Sequence, residues 1–295
     1  MVASRDRATA EDFARKEGVD GAAEGYEAVI DSPEIDAVYV ALPNSHHAVW
    51  SQRALEAGKA VLCEKPLCAS AAETAAVLGT AASTGSLLWE SFVFPFQDQH
   101  RRLLELLASG AIGEVRELVG PFHFKLSALV DIRLSAELAG GALADLGCYP
   151  VRLAQDVLST RDPVPGDVVG FSTGNGAVDT ETVAIVDYGD QRLVLSCGFR
   201  RAFDTFTRVL GTEGQIHLTN PYHPTPQDLL VLRRGDEEKV EQPTSDAWSF
   251  TAALRHIHAV LRDGRAPEHL ASESSLRSAR TLEAIVQGCR ATAAG

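Results

Sequence analysis

Sulfur is scarce in this chain: one methionine and five cysteines occur among 295 residues. No two cysteines are spaced Cys-x-x-Cys, and an odd number excludes a fully paired disulfide framework. Cys63, Cys68, Cys148, Cys197 and Cys289 therefore read as reduced, mostly buried small residues. Positive charge is also in deficit. Lys and Arg number 27 against 40 Asp and Glu, and the formal net charge of -13 has the wrong sign for a nucleic-acid or anionic-membrane surface. A local basic pocket for a phosphate remains compatible with that balance. No apolar run approaches the roughly 18 residues needed to span a membrane. Met1–Arg7 lacks the apolar core of a signal peptide, so the expected location is cytoplasmic. Metal-ligand spacing is missing too. None of the nine histidines forms His-x-x-x-His, and His256 and His258, two apart on a predicted helix, do not share a face. No metal is expected.

What is present is an ordinary globular composition, 45% hydrophobic and 23% charged, long enough for two modest domains. Up to about residue 93, short apolar runs alternate with helical segments. Asp36–Leu42, Ala60–Cys63 and Ser86–Phe92 read as buried strands. Between them lie a helix from His46 to about Ala57 that Ser45 can cap, and one opened by the capping box Ser70-Ala71-Ala72-Glu73. A further capping box at Thr9-Ala10-Glu11-Asp12 predicts a helix to about Glu17. This alternation implies βαβ units and a parallel sheet. After about Phe94 the pattern changes. A helix over His100–Ser109, a long strand over Glu114–Leu126 and a helix over Pro150–Leu158 come first. Strands at Val168–Thr173, Glu181–Tyr188, Arg192–Phe199, Phe206–Leu210, Gln215–Leu218 and Leu229–Arg233 follow, joined by short turns that predict an antiparallel sheet. Helices over Asp246–Asp263 and Glu273–Cys289 close the chain. The expected fold is α/β, with a parallel domain at residues 1–93 and an α+β domain with a large, mainly antiparallel sheet at 94–295.

The chemistry concentrates where predicted parallel strands end, the edge at which open α/β sheets bind ligands. Leu42-Pro43-Asn44-Ser45-His46-His47 follows one strand and Glu64-Lys65-Pro66 the next. Pro66 disfavours helix at Lys65, giving that side chain a defined direction. Helix capping also accounts for Asn44 and Ser45, and surface helix positions for His46 and His47. The stretch from Gly140 to Pro150 is expected to face this edge, so that Lys65, Asp145 and Tyr149 form a proton-transfer set. Cys148 is a conceivable nucleophile beside Tyr149, but no histidine is obviously placed to activate it.

Several motifs together carry a family resemblance. They are Ala41-Leu42-Pro43-Asn44 with His47, Cys63-Glu64-Lys65-Pro66-Leu67, Ser109–Val115, Asp131-Ile132-Arg133 and Gly140–Pro150. In order and spacing they resemble the glucose–fructose oxidoreductase / inositol dehydrogenase (Gfo/Idh/MocA) family over essentially the whole chain, nearest to members acting on sugars or cyclic diols. The resemblance implies a Rossmann domain binding NADP, with NAD possible, and hydride transfer between nicotinamide and a sugar, nucleotide-sugar or cyclic-diol carbon. It implies a homodimer or homotetramer formed through the outer face of the large sheet, with no nucleic-acid or membrane partner. It places Ser4 and Arg5 after the second family strand, where arginine meets the 2′-phosphate of NADP. It puts Leu42, Pro43, Asn44 and His47 along the cofactor, Glu64, Lys65 and Pro66 at the nicotinamide ribose, and Arg133 as a further cofactor contact. Tyr149 becomes the general acid/base, Asp145 the partner of a substrate hydroxyl, and Lys65 and Gln97 further substrate contacts. A phenol is a weak acid near neutrality, with a reference pKa of about 10. The Lys65 ammonium is expected to lower that of Tyr149.

The sequence departs from the family at its start. The family's first strand and Gly-x-Gly-x-x-Gly turn, which sets the pyrophosphate on a helix N-terminus, have no counterpart. One reading is that the given chain starts at an internal methionine of a longer protein. Another is a catalytically disabled homologue acting as a binding or dimerisation module. The intact Lys65, Asp145 and Tyr149 favour the first. NADP-assisted glycoside cleavage is a third possibility, which product analysis separates from net redox.

Overall fold

A computed structural model describes residues 1–128, 130–158, 166–244, 246 and 248–293, the last three by backbone alone. The first layer runs β1 (Val2–Ser4), α1 (Arg7–Glu17), β2 (Ala22–Glu24), α2 (Glu27–Ile30), β3 (Ala37–Val40), α3 (Asn44–Glu56), β4 (Ala60–Cys63), α4 (Ala71–Thr84) and β5 (Leu88–Glu90). Every strand pair is parallel, as the alternation predicts, but the strands form two sheets, β1-β2 and β3-β4-β5. Among the described residues no strand bridges them. Val2 and Ala3 face Ala37–Leu42 across an apolar cleft of about 480 Å³ floored by Phe13, Ile30 and Trp50.

Helix starts follow local hydrogen bonding. Asp6, not the expected Thr9, caps α1, its carboxylate accepting the Thr9 N–H at 2.8 Å. Thr9 already lies inside the helix, and Glu11 pairs with Arg7 instead. Ser70 caps α4 as expected, and Glu73 reaches back to the Ala69 N–H at 3.1 Å. For α3 the expected Ser45 cap is absent: Pro43 takes the cap position and Asn44 is the first helical residue.

The second layer contains α5 (Asp98–Ala108), β6 (Val115–Lys125), a π-turn at Leu143–Gly147 that runs into α6 (Cys148–Val157), then β7 (Val168–Gly174), β8 (Asp179–Asp187), β9 (Arg192–Gly198), β10 (Arg200–Thr205), β11 (Thr207–Gly211), β12 (Gln215–Leu218), β13 (Leu230–Arg234) and β14 (Glu237–Glu241). Helices α7 (Phe250–Asp263) and α8 (Glu273–Gly288) and strand β15 (Cys289–Ala293) end it. The expected start of α7 at Asp246 moves to Phe250; position 247 lies outside the described residues. The sheet order is β14-β13-β12-β11-β6-β9-β8-β7-β15, with β10 also on β6. Only the β6–β9 and β7–β15 pairs are parallel, so the mainly antiparallel expectation holds. Strands β10, β14 and β15 were not expected. Glu237-Glu238-Lys239 has no apolar alternation to reveal β14, which exists because β13 offers it a ladder.

Helix α6 packs on the inner face of this sheet, where Leu118, Val151, Leu153, Leu193, Leu195 and Ile216 are fully buried. On the opposite face Val169 and Phe171 of β7 stand exposed beside their register partners Ile185 and Val183 of β8. The chain then returns to the first layer. Ile257 and Val260 of α7 pack with Ala60 and Trp89. The Trp89 Nε1–H donates to Glu268 O at 3.0 Å and the Ala271 N–H to Leu88 O at 2.9 Å. Among the described residues no helix is long and apolar enough to cross a membrane.

Candidate active site

The carboxyl ends of β3 and β4 open onto a cavity of about 230 Å³. Leu42, Pro43 and Asn44 line it from β3, Glu64 and Lys65 from β4, and Arg133, Gly140, Gly141 and Asp145 from the second layer. A Cβ on Gly140 would lie 2.4 Å from the Arg133 carbonyl oxygen, so only glycine lets the two loops approach this closely. Asn44 latches that approach, its Nδ2 donating to Ala139 O at 2.8 Å.

Lys65 is the centre of the site. Its Nζ donates to the Asp145 carboxylate at 2.8 Å and to the Asp145 carbonyl at 2.7 Å, inside the π-turn. The other carboxylate oxygen of Asp145 accepts from Arg133 Nε at 2.7 Å. The Lys65 and Asp145 side chains are only 12% and 16% exposed, so each ion would be costly alone. Burial alone would push the Asp145 carboxyl up, but Lys65 and Arg133 hold it below its ordinary value. Burial likewise opposes the Lys65 ammonium and is outweighed by Tyr149, Cys148 and Asp145; the pKa lies above the ordinary lysine value. Near neutrality Asp145 is the one of these three that carries charge, so we attribute the effect there to it.

Tyr149 stands one helical turn beyond Asp145, and Lys65 Nζ lies 5.0 Å from its ring centroid. Phe92, Phe122 and Tyr222 box the ring at 5.1–5.3 Å between centroids. The expectation of a lowered tyrosine pKa is corrected. Burial in this aromatic box raises it above the ordinary value, and Lys65 only opposes that rise. The phenol is therefore the resting form.

Other expected residues fall into place differently. Glu64 accepts from the Tyr39 hydroxyl and from the Lys65 N–H. His47 is fully buried and does not line the cavity. Its two ring nitrogens meet Leu42 O and Pro66 O, both at 2.8 Å, tying the tips of β3 and β4 together. Pro66, joined to Lys65 by a cis peptide, backs onto a neighbouring cavity. Gln97 is also buried and away from this cavity, because its amide donates to Ser249 O at 2.6 Å. Ser4 ends β1 and Arg5 is exposed just beyond it.

Three residues at the site escaped the sequence reading. Glu90, at the end of β5, is buried and accepts the Leu67 N–H at 2.9 Å, bracing the turn that carries Lys65; burial raises its carboxyl pKa. His223 places Nε2 3.1 Å from the Tyr149 hydroxyl and Nδ1 3.2 Å from Ser249 Oγ. Burial, with Lys65 nearby, lowers His223 to a pKa of about 4.

A parallel-sheet edge carrying a paired, buried ammonium beside a buried phenol is the arrangement of an α/β enzyme that moves a proton where its ligand binds. Residues 1–92 match the family model described as oxidoreductase family, NAD-binding Rossmann fold, and residues 100–217 match the GFO/IDH/MocA C-terminal domain. The dTDP-3,4-didehydro-2,6-dideoxy-alpha-D-glucose 3-reductase of Streptomyces violaceoruber is 36% identical, over 97% of this chain and 86% of the relative. D-xylose 1-dehydrogenase (NADP(+)) 2 of Haloferax volcanii is 33% identical, over 99% and 90%. Among solved structures, a 3-ketoreductase from Actinomadura kijaniata in complex with NADP and TDP-benzene superposes with a TM-score of 0.88 at 29% identity, covering 99% of this chain and 90% of that one. The chain belongs to the Gfo/Idh/MocA family of NAD(P)-dependent oxidoreductases acting on sugar hydroxyl or keto groups, as the motifs led us to expect.

The Lys65–Asp145 pair sets a testable pH window. Asp145 is held low, so its contribution is present above an unfolded-state pKa of about 4 and lost as pH falls through the folded value. Lys65 is held high, so its contribution is present below about pH 10 and lost above. Asp145→Ala should therefore cost about 3–5 kcal/mol near neutrality by stranding a buried cation. The difference from wild type in denaturant melts should stay flat from about pH 6 to 9 and shrink below about pH 4.

Proposed function

We propose that this enzyme uses NADP to interconvert a keto group and a hydroxyl on a sugar ring, the sugar being carried by a nucleoside diphosphate. The observation that carries the reading is the Lys65 ammonium, fixed by Asp145 and 5.0 Å from the centre of the Tyr149 ring, at the carboxyl edge of β4. The nucleotide-sugar reductase and ketoreductase relatives support the substrate class.

The residues present fit the nicotinamide half of such a cofactor. Leu42 and Pro43 offer an apolar wall, while Glu64 and Lys65 offer an acceptor and a donor for ribose hydroxyls. Exposed Arg5 suits a 2′-phosphate. When bound, the cofactor supplies or takes the hydride. Tyr149, resting as the phenol, gives its proton to the substrate oxygen during reduction. Lys65 then stabilises the phenolate left behind. With both carboxylate oxygens engaged, Asp145 acts on substrate only through Lys65, keeping the ammonium charged and aimed. Residues 1–93 hold the cofactor and 94–295 supply the acid and the substrate wall. The exposed Val169, Phe171, Val183 and Ile185 are the face on which a second copy packs.

Stopped-flow assays with NADPH and dTDP-3,4-didehydro-2,6-dideoxy-D-glucose test the mechanism. Lys65→Met and Tyr149→Phe should each lower kcat about 10²–10³-fold; the Tyr149→Phe melt should be little changed, whereas Lys65→Met, which takes the ammonium from Asp145, should also melt earlier. An unchanged rate and pH profile in Lys65→Met would remove Lys65 from the mechanism. Arg5→Asp should weaken NADPH binding about 10–100-fold, through loss of a charge-assisted contact, while sparing NADH. For the assembly, light scattering should give twice or four times the 31.5 kDa chain mass. Phe171→Glu with Ile185→Glu should reduce it; a monomeric wild type would refute the face.

A further inference from the structure

We propose that His223 and Ser249 form a proton relay that recharges Tyr149 between turnovers. The proposal rests on Tyr149 being the proton donor. A buried phenol that has given its proton away is a buried phenolate, and a polar path through the protein can restore it without direct contact with water. One path is built. The Tyr149 hydroxyl meets His223 Nε2 at 3.1 Å, and His223 Nδ1 meets Ser249 Oγ at 3.2 Å. Tyr149 is 6% exposed, whereas Ser249 is only partly buried, so the chain of atoms runs from the closed site outward.

The loop after β12 is organised to hold this imidazole. The Asn220 side chain donates to His223 O at 2.6 Å and accepts the His223 N–H at 3.3 Å. Asp228 anchors Asn220 and also takes the Thr225 N–H and hydroxyl, both at 2.8 Å. Gln97 fixes the far end through its bond to Ser249 O. The charged or titratable groups acting on His223 are Tyr149 from α6 and Lys65 and Glu64 from the β4 tip. In this setting the ring is neutral, with one nitrogen donating and the other accepting, which a conduit requires.

The balance is one proton per reduction. The Tyr149 O–H bond breaks as the substrate oxygen is protonated. The His223 Nε2–H passes to the phenolate while Nδ1 takes the hydroxyl proton of Ser249, which is replaced from water. The imidazole is neutral before and after, with its tautomer exchanged; proton exchange with water once the site has emptied restores the Nε2–H tautomer for the next reduction, and oxidation runs the relay in reverse.

Two measurements test it. In the cofactor-free protein, ¹⁵N spectra of the His223 ring should show a neutral imidazole down to about pH 5, with nitrogen shifts that move in Tyr149→Phe. A ring charged at pH 7, or one indifferent to Tyr149→Phe, overturns the relay. In stopped flow with NADPH and dTDP-3,4-didehydro-2,6-dideoxy-D-glucose, His223→Phe should keep a first turnover at the wild-type rate, then slow in steady state by about 10–100-fold. Free imidazole should restore the steady rate in His223→Ala, where the truncation leaves room for it, and His223→Gln, which keeps hydrogen-bonding groups but shuttles no proton, should show the same burst. First and later turnovers slowed alike without rescue, or an unaltered steady state, would sink the relay. Tyr149→Phe with wild-type turnover would instead sink the proton-donor reading itself.

Discussion

At the site, one ammonium ties the two layers of this enzyme together. Lys65 leaves the end of a parallel strand and buries its charge against a carboxylate and a carbonyl of the opposite layer. That arrangement is stable only while both partners stay in place, because an unmatched ion in this environment is several kcal/mol out of balance. The surroundings can be understood as ways of keeping them there. Glu90 braces the turn behind Lys65, His47 fastens the adjoining strand tip, and Arg133 engages the second carboxylate oxygen of Asp145.

The same constraint explains the local distortion of the second layer. A regular helix from residue 142 would commit the Asp145 carbonyl to its own ladder. The π-turn over Leu143–Gly147 leaves that oxygen to be shared with Lys65 and the Cys148 thiol, and then hands over to a regular α6 that sets Tyr149 on the same face as Asp145. The phenol thus inherits its position from the ion pair one turn earlier. Its aromatic surroundings keep it protonated.

Much of this was legible in the sequence, for a definite reason. Short apolar strands followed abruptly by polar tips mark the ligand edge of a parallel sheet, and Glu64-Lys65 and Asn44 were found that way. Tyr149 and Asp145 were singled out by their shared motif; the expected helix began only at Pro150, and the turn that joins them was seen in the structure. What stayed hidden depends on chain segments far apart. His223 and Ser249 come from loops 26 residues apart in sequence, with no periodicity to announce them. Glu90 reads as the end of a strand until the Leu67 amide is seen above it. His47 and Gln97 were assigned to ligand contact because polar residues near an edge invite it; in the structure both are buried, with side chains against backbone carbonyls. Strand β14 was missed because charge, not alternation, fills it.

The return of α7 and α8 to the parallel layer limits how the cavity can breathe. Trp89 and Leu88 are clasped by residues 268–271, and the Ala71 amide by Glu283. On that flank the chain is sewn to its own beginning, so the layers cannot simply draw apart. The lip held by Asn44 and Ala139 carries a lighter fastening, one side-chain amide bond beside a longer backbone contact from Ser45 to Leu138. A book bound along its spine opens at the fore-edge, and for this molecule the fore-edge is the more lightly fastened lip between residues 44 and 139, beside the cavity that Lys65 and Asp145 line.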